Sequence, residues 1–281
     1  MARLLSATVL AALLAGLVAC SQVMDRGSQG VREDFRQETV RREATTAQER
    51  TAVPTAPEKR STAEKEGTVV TDASASWDYV ALGDSLAVGI GAHGGYVDRF
   101  ASYIRTDTGA RVNVLNLGQS GQTSSQLLHA LRSDPSMRQA LGAAEVITFN
   151  IGINDLGHAG EAYGNGTCGG ENNQECLHTA VEAFEENWDA VIVELLSLRS
   201  TGNTIIRTAG IGYTPRVDEV FEPYLNEVNH HVATTAANND IPYAQPYLGK
   251  EYLGPDGVHP NDNGYVIIAD RLRELGYRPL D

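Results

Sequence analysis

From Trp77 onward the sequence alternates short apolar runs with longer segments of helical spacing, and this alternation restricts the fold more than any other feature. A nearly unbroken apolar run is typical of a strand that is buried on both faces of a parallel sheet. Strands that alternate with helices therefore predict an α/β domain with helices on both faces of the sheet. We place strands at 77–83, 111–118, 145–152, 203–211 and 241–247, and helices at 96–108, 124–141 (broken near Pro135), 176–200, 218–239 and 266–275.

The first twenty residues do not fit this domain. A basic residue, Arg3, precedes a stretch from 4 to 19 that is apolar or small throughout. This pattern predicts a secretory signal peptide, because the stretch is short for a membrane span. The ending LVAC (17–20) is similar to a bacterial lipobox. That similarity implies cleavage after residue 19 and a lipid on the sulfur of Cys20, whereas the alternative is an ordinary signal peptide followed by a chance cysteine.

The segment that follows has the composition of a tether. Residues 21–76 contain Phe35 as their single aromatic residue and are rich in Arg, Glu, Thr, Ala and Gln. Such a segment buries too little apolar surface to offset the loss of chain entropy on folding. We therefore expect a signal peptide at 1–19, a lipid-anchored disordered tether at 20–76 and a folded domain at 77–281. The domain is then exported and held at the bacterial cell surface or the periplasmic face of a membrane.

The charge of the chain excludes one class of partner. Its net charge is −14, from 22 basic and 36 acidic residues. Residues 21–76 carry ten acidic and nine basic residues, so the acidic excess lies in the domain. An acidic domain lacks the basic patches that nucleic-acid phosphates require, and we therefore expect no nucleic-acid partner. We also expect a monomer.

The first predicted strand ends in Gly83-Asp84-Ser85-Leu86, which places a serine at the carboxyl edge of the sheet. Ligands of open parallel sheets bind at that edge. The serine is either a nucleophile or part of a glycine-rich phosphate loop, since 89–94 reads G-x-G-x-x-G. A phosphate loop must follow its strand directly and open a helix, and this motif begins six residues after Gly83. The nucleophile is therefore favoured, and the glycines are interpreted as a flexible loop beside the site.

A serine nucleophile needs a histidine base and an acid that orients it. His259 follows Asp256 at a short, fixed spacing on a loop that contains a glycine, DGVHP (256–260). His158 follows Asp155 closely and is a second candidate to line the site. The remaining histidines are His93, His129, His178, His230 and His231. None of them has the spacing of a metal site, and we expect no metal.

Four sequence blocks together resemble the GDSL esterase/lipase family, also called SGNH hydrolases, and they follow the family's order at predicted strand ends. The blocks are Gly83-Asp84-Ser85-Leu86, Asn116-Leu117-Gly118-Gln119-Ser120-Gly121, Gly152-Ile153-Asn154-Asp155 and Asp256-Gly257-Val258-His259. The resemblance implies a flavodoxin-like three-layer α/β/α sandwich around a parallel sheet of about five strands. The other common esterase fold is disfavoured, because the chain contains no G-x-S-x-G motif.

The resemblance also implies roles for individual residues. Ser85 is the expected nucleophile, His259 the general base and then acid, and Asp256 the residue that orients His259. The expected oxyanion hole consists of the backbone N–H groups of Ser85 and Gly121 and the side-chain amide of Asn154. Three further polar residues are interpreted as structural: Asp84 ties its turn together, Asn116 joins neighbouring loops and Asp155 braces the loop of Asn154.

The segment 157–175 is interpreted as a long loop that overhangs the site and influences which ester fits. The chain has three cysteines, and lipid on Cys20 leaves an even pair, Cys168 and Cys176. An even pair in an exported protein predicts a disulfide.

The sequence as a whole predicts a serine esterase that hydrolyses carboxylic esters through an acyl-enzyme, without a cofactor. Aromatic residues make up 6% of the chain and no long apolar lid is evident, which favours short acyl chains or acetyl groups. An O-acetyl esterase of cell-surface polysaccharide or peptidoglycan is the alternative within enzymes. A non-catalytic surface binding module on a hydrolase fold is the alternative from another class.

Overall fold

The computed structural model describes residues 75–211, 220–245 and 248–280, and at the centre of this part of the chain lies a parallel sheet of five strands. The strands are β1 (Ser76–Gly83), β2 (Arg111–Asn116), β3 (Val146–Asn150), β4 (Ile205–Ala209) and β5 (Tyr243–Ala244). Their order across the sheet is β2-β1-β3-β4-β5. This is the flavodoxin-like order, in which the carboxyl ends of neighbouring strands form a crevice.

Helices cover both faces of the sheet. They are α1 (Ser85–Val88), α2 (Tyr96–Thr108), α3 (Ser124–Ser133), α4 (Pro135–Ala143), α5 (Ile153–Gly164), α6 (Glu175–Leu198), α7 (Glu222–Asn238) and α8 (Asp262–Glu274). None of the helices in the described ranges is long and apolar enough to cross a membrane. The signal peptide, Cys20 and all but the last residues of the expected tether lie outside the described residues.

The two faces of β1 supply two separate cores. Val80 and Leu82 pack into the larger cluster, together with Phe149 and Trp188. Tyr79 and Ala81, on the opposite face of β1, pack into the second cluster, which α2 and α8 cover. Successive side chains of a strand point to opposite faces, so a strand that is apolar throughout contributes to both cores. The expected three-layer α/β/α fold is confirmed.

Local sequence signals explain where several helices begin. Thr123 accepts a hydrogen bond from the backbone N–H of Gln126, whose side chain returns to the Thr123 N–H, and this capping box starts α3. Asp134 caps α4, and Pro135 occupies its first turn, where no donor is lost. The predicted helix 124–141 is therefore two helices that meet at the predicted break.

Two predicted elements differ from the structure. The segment 157–175 is not a single loop, because α5 extends to Gly164 and only 165–174 is irregular. The buried residues of α5 pack it against α6, and this packing outweighs the low helix propensity of its glycines. The last strand is limited to Tyr243–Ala244; Pro242, just before it, has no N–H to donate. Residues 218–219 of the predicted helix and 246–247 of the predicted strand lie outside the described ranges.

Candidate active site

The sheet brings the predicted catalytic and oxyanion-hole residues to one edge. Ser85 follows β1, Gly121 follows β2, Asn154 lies in the first turn of α5 after β3, and His259 follows β5. Ser85, Asn154 and His259 are each about 2% exposed. Because strands β1 to β4 are neighbours and parallel, residues far apart in sequence meet above their carboxyl ends.

The serine is held at the start of α1 by the residue before it. The Asp84 carboxylate accepts a hydrogen bond of 2.9 Å from the backbone N–H of Leu86 and caps the helix. Ser85 therefore occupies the first helical position, where a backbone N–H has no partner within the helix. The prediction that Asp84 ties this turn together is confirmed.

A continuous chain of hydrogen bonds joins Asp256, His259 and Ser85. The His259 Nε2 atom lies 2.8 Å from the Ser85 Oγ atom, and its Nδ1 atom lies 2.7 Å from the Asp256 Oδ2 atom. The second carboxylate oxygen, Oδ1, accepts the backbone N–H groups of Val258 at 2.9 Å and of His259 at 3.0 Å. One carboxylate thus both shapes the turn and orients the ring.

The Asp256 carboxylate keeps its charge in this position. Burial raises its pKa. The N–H groups of Val258 and His259 and the His259 ring together lower the pKa by more than burial raises it, so it lies below the ordinary value. An ionised Asp256 accepts a hydrogen bond from the Nδ1–H group of a neutral ring, so that the Nε2 atom is left as an acceptor toward Ser85. The arrangement can take a proton from the serine hydroxyl.

The glycine-rich segment after α1 packs directly against the histidine loop. Gly91 has a φ of +93°, and a Cβ atom there would lie 2.8 Å from the Pro260 carbonyl oxygen and 3.0 Å from the His259 Cβ. The Tyr265 hydroxyl donates a 2.7 Å hydrogen bond to the carbonyl of Ile90. The segment thus lies beside the site, as predicted, and Gly91 allows its close approach to His259.

The side chain of one expected oxyanion donor, Asn154, is hydrogen-bonded to the residue that follows the other, Gly121. Gly121 has a φ of +77° in the turn from Gln119 to Gln122. The Asn154 amide nitrogen donates a 2.8 Å hydrogen bond to the carbonyl of Gln122. A primary amide carries two N–H donors, so one remains for a substrate oxygen.

Sequence reasoning missed a buried polar chain beneath the nucleophile. The Tyr96 hydroxyl donates 2.9 Å to the Asn150 side-chain oxygen, and the Asn150 amide lies 3.4 Å from the Asp84 carboxylate. The available signal was Asn150 itself, a polar residue that ends the apolar run VITFN. The amide of Asn116 donates a hydrogen bond of 2.6 Å to the Ala87 carbonyl, so this residue joins the end of β2 to α1 rather than two loops.

The stability of the fold should depend on pH through Asp84. Burial raises the Asp84 pKa from 3.8 to about 7. Hydrogen bonds from Leu86 and Asn150 lower this pKa in part, and the nearby Asp155 charge raises it further. The folded state thus favours the neutral carboxyl. This preference contributes fully to the free energy of unfolding below about pH 4, and the contribution is lost as the pH rises through 7. We expect wild type to lose about 2.5 kcal/mol more than Asp84→Asn between pH 5 and 8 in urea unfolding. Equal losses would show that Asp84 does not titrate in this range.

A small cavity opens beside Ser85 and His259. Its volume is about 30 Å³, and its apolar walls include Ala209, Ile211 and Leu248. The cavity lies at the ends of β3 and β4, on the side of Ser85 away from Gly121. A group bound to the Ser85 oxygen can extend into this space.

The cysteine prediction is confirmed, because Cys168 and Cys176 form a disulfide. It closes the irregular segment between α5 and α6. His158 is exposed on α5 and is not among the residues that line the cavity. Within the described ranges, no three His, Cys, Asp or Glu side chains are grouped so that they could hold a metal ion.

Residues 81–267 match the model of the GDSL-like lipase/acylhydrolase family. The chain is 27% identical over 214 residues to the spore germination lipase LipC of Bacillus licheniformis, an alignment that covers 72% of this chain and 98% of LipC.

Solved structures show the same fold. A lipase from a goat rumen metagenome superposes with a TM-score of 0.66 at 26% identity, over 73% of this chain and all of the other. An acetyl xylan esterase from Geobacillus stearothermophilus superposes with a TM-score of 0.56 at 19% identity, over 73% of this chain and 96% of the other. At this lower identity the likeness concerns the fold.

Proposed function

This chain belongs to the GDSL-like lipase/acylhydrolase family, and from that membership and the geometry of the site we propose that it is a serine esterase that works through an acyl-enzyme. The observation that carries the proposal is the hydrogen-bonded chain from Asp256 through His259 to Ser85, with contacts of 2.7 and 2.8 Å. These are the three groups that acyl transfer to a serine requires.

In the acylation step, the Ser85 oxygen attacks the ester carbonyl carbon while His259 removes the hydroxyl proton. The tetrahedral intermediate collapses, the bond to the alcohol oxygen breaks, and His259 returns the proton to that oxygen. Asp256 holds the ring in the required tautomer and stabilises the imidazolium that forms in between. The products of this step are the free alcohol and an ester on Ser85.

In the deacylation step, water takes the place of the alcohol. His259 removes a proton from the water, the resulting oxygen attacks the acyl-enzyme carbonyl, and Ser85 regains its proton as the carboxylic acid leaves. The backbone N–H groups of Ser85 and Gly121 and the free amide N–H of Asn154 stabilise the negative oxygen in both steps. No cofactor takes part in this scheme.

The substrate that we propose is an ester of a short acyl chain, with acetyl as the smallest case. A water molecule needs about 10–15 Å³ of cavity volume. The cavity of about 30 Å³ beside Ser85 therefore has room for an acyl group of roughly two to four carbons. An O-acetyl esterase of surface polysaccharide or peptidoglycan is the second candidate, and the small cavity supports it as well. An acetyl xylan esterase is among the proteins of similar fold.

Acyl-chain preference tests this proposal. We expect the full-length protein to hydrolyse p-nitrophenyl acetate and butyrate with a kcat/KM at least about tenfold higher than palmitate, because a hydrophobic site discriminates by roughly 10- to 200-fold per ill-fitting methylene. The measurement is initial-rate kinetics on the three esters at one pH. A preference for palmitate would contradict the role of the cavity. Failure both to hydrolyse any ester and to react with a covalent serine-hydrolase probe would favour the non-catalytic binding module.

We also propose that the protein is exported, monomeric and anchored to a membrane by lipid on Cys20. The support is the sequence of residues 1–20 together with the composition of 21–76. Mass spectrometry of the mature N-terminus tests the anchor, since an unmodified residue at that position would exclude it.

A further inference from the structure

Two consecutive residues at the start of α5 hold the loop that carries Gly121. Asn154 donates its amide to the Gln122 carbonyl at 2.8 Å. The carboxylate of Asp155 accepts from the Ser124 backbone N–H at 3.0 and 3.2 Å and from the Ser124 hydroxyl at 2.6 Å. The segment 122–124 is thus bound to α5 at both of its ends.

We propose that Asp155 is a positioning residue for the oxyanion hole, which sets the distance between the Gly121 N–H and the Asn154 amide. The proposal rests on the esterase function proposed above. Asp155 lies in the chain next to one donor, and its hydrogen-bond partner, Ser124, lies three residues after the other. It therefore joins the two elements that must present their donors to the same oxygen atom.

The carboxylate suits this position for an electrostatic reason. Ser124 is the first residue of α3, and its N–H has no partner within the helix. The capping residue Thr123 accepts from Gln126 instead, so Asp155 satisfies the donor that the capping box leaves over. A negative charge at a helix N-terminus is also stabilised by the helix dipole.

A third helix supports the same contact. Ser124 is completely buried, and its hydroxyl oxygen lies 3.1 Å from the side-chain amide of Asn187 on α6. Burial raises the pKa of Asp155 above its ordinary value, and the hydrogen bonds from Ser124 offset this rise only in part. The contact is therefore a buried network that spans α3, α5 and α6.

The other end of the loop is fixed at the nucleophile. The Gln119 N–H donates 2.8 Å to the carbonyl of Gly83, two residues before Ser85. The Gln122 N–H then closes the turn onto the Gln119 carbonyl at 3.1 Å. Gly121 lies inside this turn, between one attachment to β1 and another to α5. Loss of the Asp155 contact leaves a single hydrogen bond, from Asn154 to Gln122, to hold the loop against α5, while the attachment of the loop to Gly83 remains.

The test compares Asp155→Asn with a matched control, Asp134→Asn. Asp134 caps α4 through the N–H and the hydroxyl of Ser136, the same pair of contacts that Asp155 makes with Ser124, but outside the site. We expect Asp155→Asn to lower kcat for p-nitrophenyl acetate by about 10- to 100-fold with KM changed less than about threefold, because a displaced donor loses part of the 10²–10³ that a deleted donor costs. Asp134→Asn should keep the wild-type kcat and KM even if its melting temperature falls by as much as that of Asp155→Asn.

Two further variants keep the outcome decisive. Ser124→Ala removes the hydroxyl contacts with Asp155 and Asn187 but keeps the backbone contact with Asp155, and it should lower kcat by roughly two- to tenfold. In the double variant Asn154→Ala/Asp155→Asn the loss should be smaller than the product of the single losses, because both act on the same oxyanion. Folded Asp155→Asn and Ser124→Ala proteins with wild-type kcat would overturn the proposal and leave the esterase function intact. A wild-type protein without esterase activity would overturn both.

Discussion

Replacement of Ser85 by alanine will lower ester hydrolysis by roughly 10⁴- to 10⁶-fold, because the acyl-enzyme cannot form without its oxygen. The Ser85 side chain is the one that the His259 Nε2 atom contacts, at 2.8 Å. The measurement is kcat for p-nitrophenyl acetate with wild type and variant at equal concentration. In parallel, a fluorophosphonate probe should label the wild-type protein and leave Ser85→Ala unlabelled.

The matched control for this variant is Ser102→Ala, an exposed serine on α2 away from the strand ends. It should retain wild-type turnover and probe labelling. Ser85→Ala should unfold at nearly the same denaturant concentration as wild type, since one buried hydroxyl is removed. Full labelling of a folded Ser85→Ala protein would mean that another residue is the nucleophile.

Replacement of Asp256 by asparagine should lower kcat by about 10⁴-fold while the turn stays intact. The Asp256 Oδ1 atom accepts the backbone N–H groups of Val258 and His259, and an asparagine oxygen can keep both bonds. The Oδ2 atom, which accepts from the His259 ring at 2.7 Å, becomes an amide that donates. The ring then presents its N–H to Ser85, and a donor cannot take the hydroxyl proton.

Asp256→Ala serves as the comparison, because it removes the ring contact and both turn contacts. It should lose activity to a similar extent and also lower the free energy of unfolding, by about 1–3 kcal/mol if the two N–H groups are left without acceptors. Denaturant unfolding of both variants beside their kcat values separates the two roles. An Asp256→Asn protein with kcat within tenfold of wild type would show that Asp256 only shapes the turn.

The sheet could be predicted well because each of its four longer strands is encoded locally. The run VITFN of β3 is apolar on both faces, since both faces are covered by helices. Glycine or asparagine then marks the end of the strand. The short β5 could not be bounded in the same way, because Tyr243 and Ala244 become a strand only through pairing with β4. Helix α5 was missed for a related reason: its glycines predict a loop, and only the packing against α6 favours a helix.

The catalytic contacts could be anticipated from short motifs, whereas the groups that support them could not. Asp256 and His259 are three residues apart, so their contact is almost a local property of the chain. The contact of Tyr96 with Asn150, by contrast, spans 54 residues and depends on how α2 lies across the sheet. The cavity has the same character, since its walls come from the ends of several strands and from α8.

The order of these residues along the chain has a consequence for biosynthesis. Ser85 and His259, whose side chains are hydrogen-bonded in the folded domain, are separated by 174 residues. A ribosome therefore makes the nucleophile well before the base, and a nascent or truncated chain that lacks the segment 256–259 lacks the histidine that contacts its serine. We therefore expect the growing polypeptide to hydrolyse no ester until the segment 256–259 has been made and has folded onto the sheet. Recovery of turnover during refolding should accordingly report the docking of the segment 256–259, a step that helix content alone would not reveal.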